Sequence, residues 1–76
     1  NPTTRLLQAE FELDRAAEVR WALYDAYGRM IWQEKAGLIR QESRLLDFSN
    51  YPSGAYLLQL WADGNMLLRE RVVKIE

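Results

Sequence analysis

Ser53-Gly54-Ala55-Tyr56-Leu57-Leu58-Gln59-Leu60-Trp61 is the stretch that decides the fold. Taking alternate residues puts Tyr56, Leu58 and Leu60 on one side, a period of two that suits a half-buried strand and not a helix. The stretch reads as a central core strand entered through Gly54. Asp63-Gly64 follows between two apolar runs, where a two-residue type I′ turn needs positive φ at both positions. From Ser53 onward the chain is therefore predicted to be a hairpin.

The pattern extends outward in both directions. Leu6 to Leu13 alternates, with Leu7, Ala9, Phe11 and Leu13 facing one way and Gln8, Glu10 and Glu12 the other, as in a strand packed on one side only. Asp14-Arg15-Ala16-Ala17 is too short to bear the cost of helix nucleation and reads as a connection. Glu18 to Tyr24 alternates again, with Val19, Trp21 and Leu23 inward and Arg20, Ala22 and Tyr24 outward. Tyr24-Asp25-Ala26-Tyr27-Gly28-Arg29 reads as a hairpin loop, Asp25 bonding forward to the backbone and Gly28 taking the left-handed position.

Met30-Ile31-Trp32 is apolar on both sides, so its register stays open. Gly37 is expected to end that strand. Gln41 to Phe48 is the next, with Leu46 and Phe48 inward and Arg44 at a rim or snorkelling. Pro52 cannot donate to a central ladder, so Ser49 to Pro52 reads as a bridge into the opening strand. In the return strand, Met66 to Ile75, the phase breaks: Met66 and Leu68 share a face with Glu70, whereas Val73 and Ile75 share theirs with Arg69 and Arg71. One extra residue near Arg69 to Arg71 would align all four apolar side chains, which predicts a bulge there. Short strands at this spacing predict an all-β fold, an antiparallel β-sandwich of six or seven strands.

Composition narrows the function classes. Seventy-six residues make one domain, 1–76, and a chain this short buries only roughly 60–65 % of its unfolded surface, so its core is thin. Ten basic and eleven acidic residues give a formal charge of −1, the signs alternating along the chain, which argues against nucleic acid as a partner. No apolar run reaches the ~18–20 residues of a membrane helix, so no transmembrane segment is expected. Cysteine and histidine are both absent. Without them the usual thiol nucleophile and general base are missing, and Ser43, Ser49 and Ser53 have no triad partner. No enzyme, no metal site and no cofactor is expected.

Five short segments occur in a characteristic order: Asn1-Pro2, Tyr24-Asp25-Ala26-Tyr27-Gly28-Arg29, Leu46-Asp47-Phe48-Ser49, Ser53-Gly54-Ala55-Tyr56 and Arg71-Val72-Val73-Lys74. Together they resemble the type A C-terminal sorting domain of the type IX (Por) secretion system. Trp21 and Tyr51 depart from that pattern, which more often has smaller aliphatic residues there. The resemblance implies a small Ig-like sandwich at the tail of a larger exported protein of a Gram-negative bacterium, with Asn1 to Thr4 at the linker junction to an N-terminal cargo domain. It further implies recognition by the outer-membrane translocon, and cleavage upstream by a sortase-like cysteine protease that joins many cargoes to an anionic lipopolysaccharide. The cargo would pass through the periplasm to the cell surface or extracellular space.

On that reading Asp25, Gly28, Asp63 and Gly64 are turn determinants, and the recognition candidates are Gly54, Tyr56, Arg69, Arg71, Val72, Val73, Lys74, Ile75 and Glu76. Gly54 and Tyr56 also have a local role, tight entry and a ring in the core with its hydroxyl at the rim. The tail combines a basic and an apolar face and, as a terminal strand, is suited to pairing with a receptor at an open edge. Leu57 and Trp61 lie opposite the inward set, either as an interface patch or under a second sheet. The alternative is an Ig-like structural, adhesive or carbohydrate-binding module that stays on its parent protein.

Overall fold

The computed structural model describes residues 2–3 and 5–75, the side chains from Arg5 onward. It contains β1 (Pro2–Thr3), β2 (Leu6–Tyr24), β3 (Met30–Asp47), β4 (Gly54–Ala62) and β5 (Asn65–Lys74), with no helix among the described residues. All lie in one sheet of order β1-β5-β4-β2-β3. The four long strands run antiparallel to their neighbours, and β1 adds to β5 in parallel. The all-β, antiparallel expectation holds, but the strand count differs from the six or seven of the expected sandwich.

The difference arises where the sequence was divided. Leu6–Leu13 and Glu18–Tyr24 belong to one strand, β2, and the two segments either side of Gly37 to another, β3. Gly37 does not end its strand. With φ of +88° it sits beside a bulge, because Val19 pairs with Gly37 and Arg20 with Lys35, leaving Ala36 over. A larger irregularity falls between Glu12 and Ala17, where Leu13 to Ala16 oppose Arg40 alone. Bulges let a strand bend sharply without breaking its course.

The bend is required by size. A flat 19-residue strand would reach about 60 Å, yet the longest dimension of the molecule is 38 Å. The ribbon of β2 and β3 doubles over, and its two halves meet through side chains. Phe11 packs on Trp21 with ring centroids 5.9 Å apart, and Trp21 Nε1 donates to Glu42 Oε1 at 2.9 Å. Arg44 donates to both oxygens of Glu34, at 2.8 and 2.6 Å, and stacks over Trp32. Arg44 is thus held at a rim and paired, and its hydrogen bonds hold the Glu34 carboxyl below the usual range against the opposing effect of partial burial.

Between the halves lies the core: Val19, Trp21, Leu23, Leu46, Phe48, Tyr56, Leu58, Leu60 and Val72, flanked by half-buried Leu7, Ala9, Phe11 and Leu13. Every inward residue expected in β2 and β4 is there. Burying each large apolar side chain contributes about 1.5–3 kcal/mol. Ala22, expected outward, is also buried: it sits in the central strand opposite Gln33 and Gln59, and so small a side chain is covered by its neighbours. The open register near Met30 resolves through a bulge at Ile31, so that Trp32 pairs with Leu23 and packs on the core.

The β4–β5 turn is as predicted, with φ of +50° at Asp63 and +81° at Gly64. Asp63 is also tied to β2, its Oδ1 accepting from Glu18 N and its own N donating to Glu18 O, both at 2.9 Å. The bulge expected at Arg69 to Arg71 lies instead at Leu67, between the Leu60–Leu68 and Trp61–Met66 pairs. Beyond it the register is unbroken, so Leu68 and Val72 face the core while Val73 stays outward with Arg69 and Arg71, and Ile75 is exposed. Val72, which neither apolar set included, takes the core position.

Candidate functional site

At one end of the sheet, three segments distant in sequence come together: the loop from Asp25 to Arg29, the bridge from Phe48 to Gly54, and the end of β5. The first is built by one carboxylate. Asp25 Oδ1 accepts from Tyr27 N at 2.9 Å and Arg29 N at 3.0 Å, Oδ2 accepts from Arg29 Nε at 2.8 Å, and Gly28 closes the turn with φ of +81°. Desolvation raises the Asp25 pKa, but these bonds outweigh it and hold the carboxyl below its usual range. Tyr27 stands out from the loop, 84 % exposed, with the Arg29 guanidinium over its ring.

The bridge is knotted by its neighbours. Asp47 Oδ1 accepts from Ser49 N at 2.9 Å, and hydrogen bonds from Ser49 keep the Asp47 carboxyl below its usual range. Tyr51 N donates to Phe48 O at 3.0 Å. The Tyr56 hydroxyl reaches back to Pro52 O at 2.5 Å, and burial pushes its pKa up. Lys74, buried at the end of β5, gives its ammonium to Tyr51 O at 2.8 Å. The rings of Phe48, Tyr51 and Tyr56 form a triangle with centroids 5.6 to 5.8 Å apart, a packing that stabilises beyond area burial alone.

Two grooves flank this end. One of about 270 Å³ runs between Tyr27, Ile31, Tyr51 and Pro52. The other, about 370 Å³, is lined by Tyr24, Leu57, Gln59, Arg69 and Arg71. Among the described residues no cluster of His, Cys, Asp or Glu could hold a metal ion, and no helix is long and apolar enough to cross a membrane.

The recognition candidates divide between two sides. Tyr56, Val72 and Lys74 point inward and are buried, while Arg69, Arg71, Val73 and Ile75 are exposed. Gly54 opens β4 opposite Lys74, with φ of +150° that disfavours a side chain although a Cβ there would meet open space. Glu76, Asn1 and Thr4 lie outside the described residues. Asp25 and Gly28 join the convergent end, whereas Asp63 and Gly64 lie at the opposite end of β4. At the outer edge of β5, β1 pairs Pro2 with Val73 and Thr3 with Lys74, so the chain's own start lies along its tail.

Sequence reasoning did not identify the carbonyls of Tyr51 and Pro52 as the acceptors that tie this end together, since no residue type marks a carbonyl partner. Nor did it pair Arg20 with Trp61, whose ring lies 5.2 Å from the guanidinium, a contact that depends on strand register. Of the three tryptophans, Trp21 is fully buried, and Trp32 and Trp61 each carry a guanidinium over the ring.

Over residues 1–74 the chain matches the family described as the secretion system C-terminal sorting domain. No match was found among curated proteins or among solved structures.

Proposed function

We propose, from the premise that the chain belongs to the family of type IX (Por) secretion C-terminal sorting domains, that it is a folded export tag read by its shape and then cut away. Membership implies a C-terminal sorting signal, a type IX secretion system, a cargo domain in the same chain, and export to the cell surface or extracellular space. Residues 1–76 are on this reading one domain, with Asn1 to Thr4 at the linker junction. The finer steps are the proposal. The outer-membrane translocon binds the domain in its folded form, and a sortase-like cysteine protease from the partner machinery cuts upstream. The doubled sheet serves as the Ig-like sandwich of the family, with no catalysis of its own.

The observation that carries this reading is the convergence itself. Tyr24 to Arg29, the stretch from Leu46 to Tyr56, and Arg71 to Lys74 are far apart in sequence and become neighbours only in the folded chain, through the pairing of Tyr24 with Leu57, the Lys74–Tyr51 bond and the pairing of Tyr56 with Val72. A signal made this way exists only after folding.

The test is to fuse the domain to a periplasm-targeted reporter in a type IX host. The expected result is reporter at the surface, freed of the domain. Retention in the periplasm overturns the signal, and surface reporter still carrying the domain overturns the cleavage step. Val73→Ser with Ile75→Ser alters exposed tail positions only, so export should fall at unchanged domain stability. Deleting the last five residues is a poorer test, because it removes Val72 from the core.

A further inference from the structure

The outward side of the sheet carries more charge than the tail alone supplies. Residues opposite one another on adjacent strands project to the same side, and the register sorts this face into rows. Met30, Tyr24, Leu57 and Arg71 form one, Gln33, Ala22, Gln59 and Arg69 the next, and Lys35, Arg20, Trp61 and Met66 the third. Four cations from three strands therefore share a face whose acids lie at its margins, Glu18 with Asp63 at one end and Asp25 beside the groove of Arg69 and Arg71 at the other. Among the described residues Arg20, Lys35 and Arg69 join no ion pair. The formal charge of −1 hides this segregation, because acids such as Glu10 and Glu12 sit on the outer side of the other half of the ribbon.

Between the cations lie half-buried groups. The Arg20 guanidinium rests on the Trp61 ring, Trp61 Nε1 donates to Gln59 Oε1 at 3.1 Å, and Tyr24 and Leu57 fill the row beside Arg71. Arginine, tyrosine and tryptophan with few acids is the composition of protein interfaces and their strongest contacts. The two longest dimensions of the molecule are 38 and 21 Å, so this face is smaller than the roughly 800 Å² that one partner contributes to a standard interface. Insertion into an anionic membrane suits this face less well, since its exposed apolar side chains, Met30 and Met66, stand at opposite corners and Tyr24, Leu57 and Trp61 between the cations are half-buried, so no continuous apolar patch is offered for insertion. A second copy of the chain would offer chiefly Glu10 and Glu12 against four cations.

We propose that this basic, aromatic sheet face docks an acidic surface of a protein partner, Arg20 and Lys35 acting together with the tail residues Arg69 and Arg71. The inference deepens the export-signal reading and rests on it: it gives the chemistry of the partner and adds two residues outside the tail.

Two measurements test it, using wild type, Arg20→Glu with Lys35→Glu, and an equal charge change off the face, Arg5→Glu with Arg15→Glu, each first shown to be folded. In solution the probe is poly-L-glutamate. Wild type and the control should bind it and weaken with salt, and the face variant should bind about tenfold more weakly. In the reporter assay the face variant should lose export while the control keeps it. Absence of poly-L-glutamate binding by wild type, equal loss in the control, or normal export of the face variant overturns the docking face. So does binding by wild type only to vesicles of one part phosphatidylglycerol to three of phosphatidylcholine, or self-association abolished by the face variant. Failure of wild type itself to export the reporter strikes instead at the sorting function.

Discussion

The convergent end of the β2–β3 ribbon and the bend in its middle meet different demands. At the convergent end Asp25, Tyr51, Tyr56 and Lys74 each have a defined partner, and the rings of Phe48, Tyr51 and Tyr56 pack together. At the bend, Leu13 to Ala16 oppose Arg40 alone, Asp14 to Ala16 are exposed, and the described tie is Arg40 donating to Leu13 O at 3.2 Å and to Glu12 at 3.4 Å. The bend has to turn the ribbon, which many sequences can do. The convergent end has to hold one arrangement of distant segments, and each polar group there restricts the alternatives.

That contrast breaks most directly in the core. Phe48→Ala should cost about 3–5 kcal/mol, enough to unfold much of so small a domain, whereas Leu13→Ala at the bend should cost about 1–2 kcal/mol, its side chain being half-buried already. Equal shifts in urea midpoint would erase the distinction. Next, Lys74→Met leaves the Tyr51 carbonyl without its donor and should cost about 1–3 kcal/mol, and Tyr56→Phe, which frees the Pro52 carbonyl, about 1 kcal/mol. If both changes were silent, the knot would be ornament and the aromatic packing would hold the bridge alone.

Acid sharpens the comparison further. Asp25 and Asp47 are held below the usual carboxylate range in the folded chain, so they bind fewer protons folded than unfolded. Their contribution is complete above about pH 4, the unfolded value, and is lost as pH falls through the lowered folded values. The melting temperature should be level from neutral pH downward and drop below that point, and Asp25→Asn with Asp47→Asn should flatten the drop. The smallest effect belongs to the bend: Arg15→Ala, on an exposed residue, should change stability by no more than about 0.5 kcal/mol, read in the same urea titration.

Much of this was legible from residue order. Alternation located Val19, Trp21, Leu23, Tyr56, Leu58 and Leu60 in the core, and Asp63-Gly64 and Asp25 to Gly28 announced their turns, because period and turn chemistry are local properties. The five ordered segments pointed to the family that the match over residues 1–74 bears out. The strand count was not legible, since a bulged strand and two strands with a connection alternate alike. Nor was the phase of the return strand: whether Val72 or Val73 enters the core depends on a bulge at Leu67, set by the pairing with Leu60 and Trp61. Residue order alone determined the class of fold, its turns and its kinship. Only tertiary structure decided which segments meet, that Lys74 is bound inward to Tyr51, and that cations from three strands share one face, because register between distant strands is a property of their packing and of no single strand.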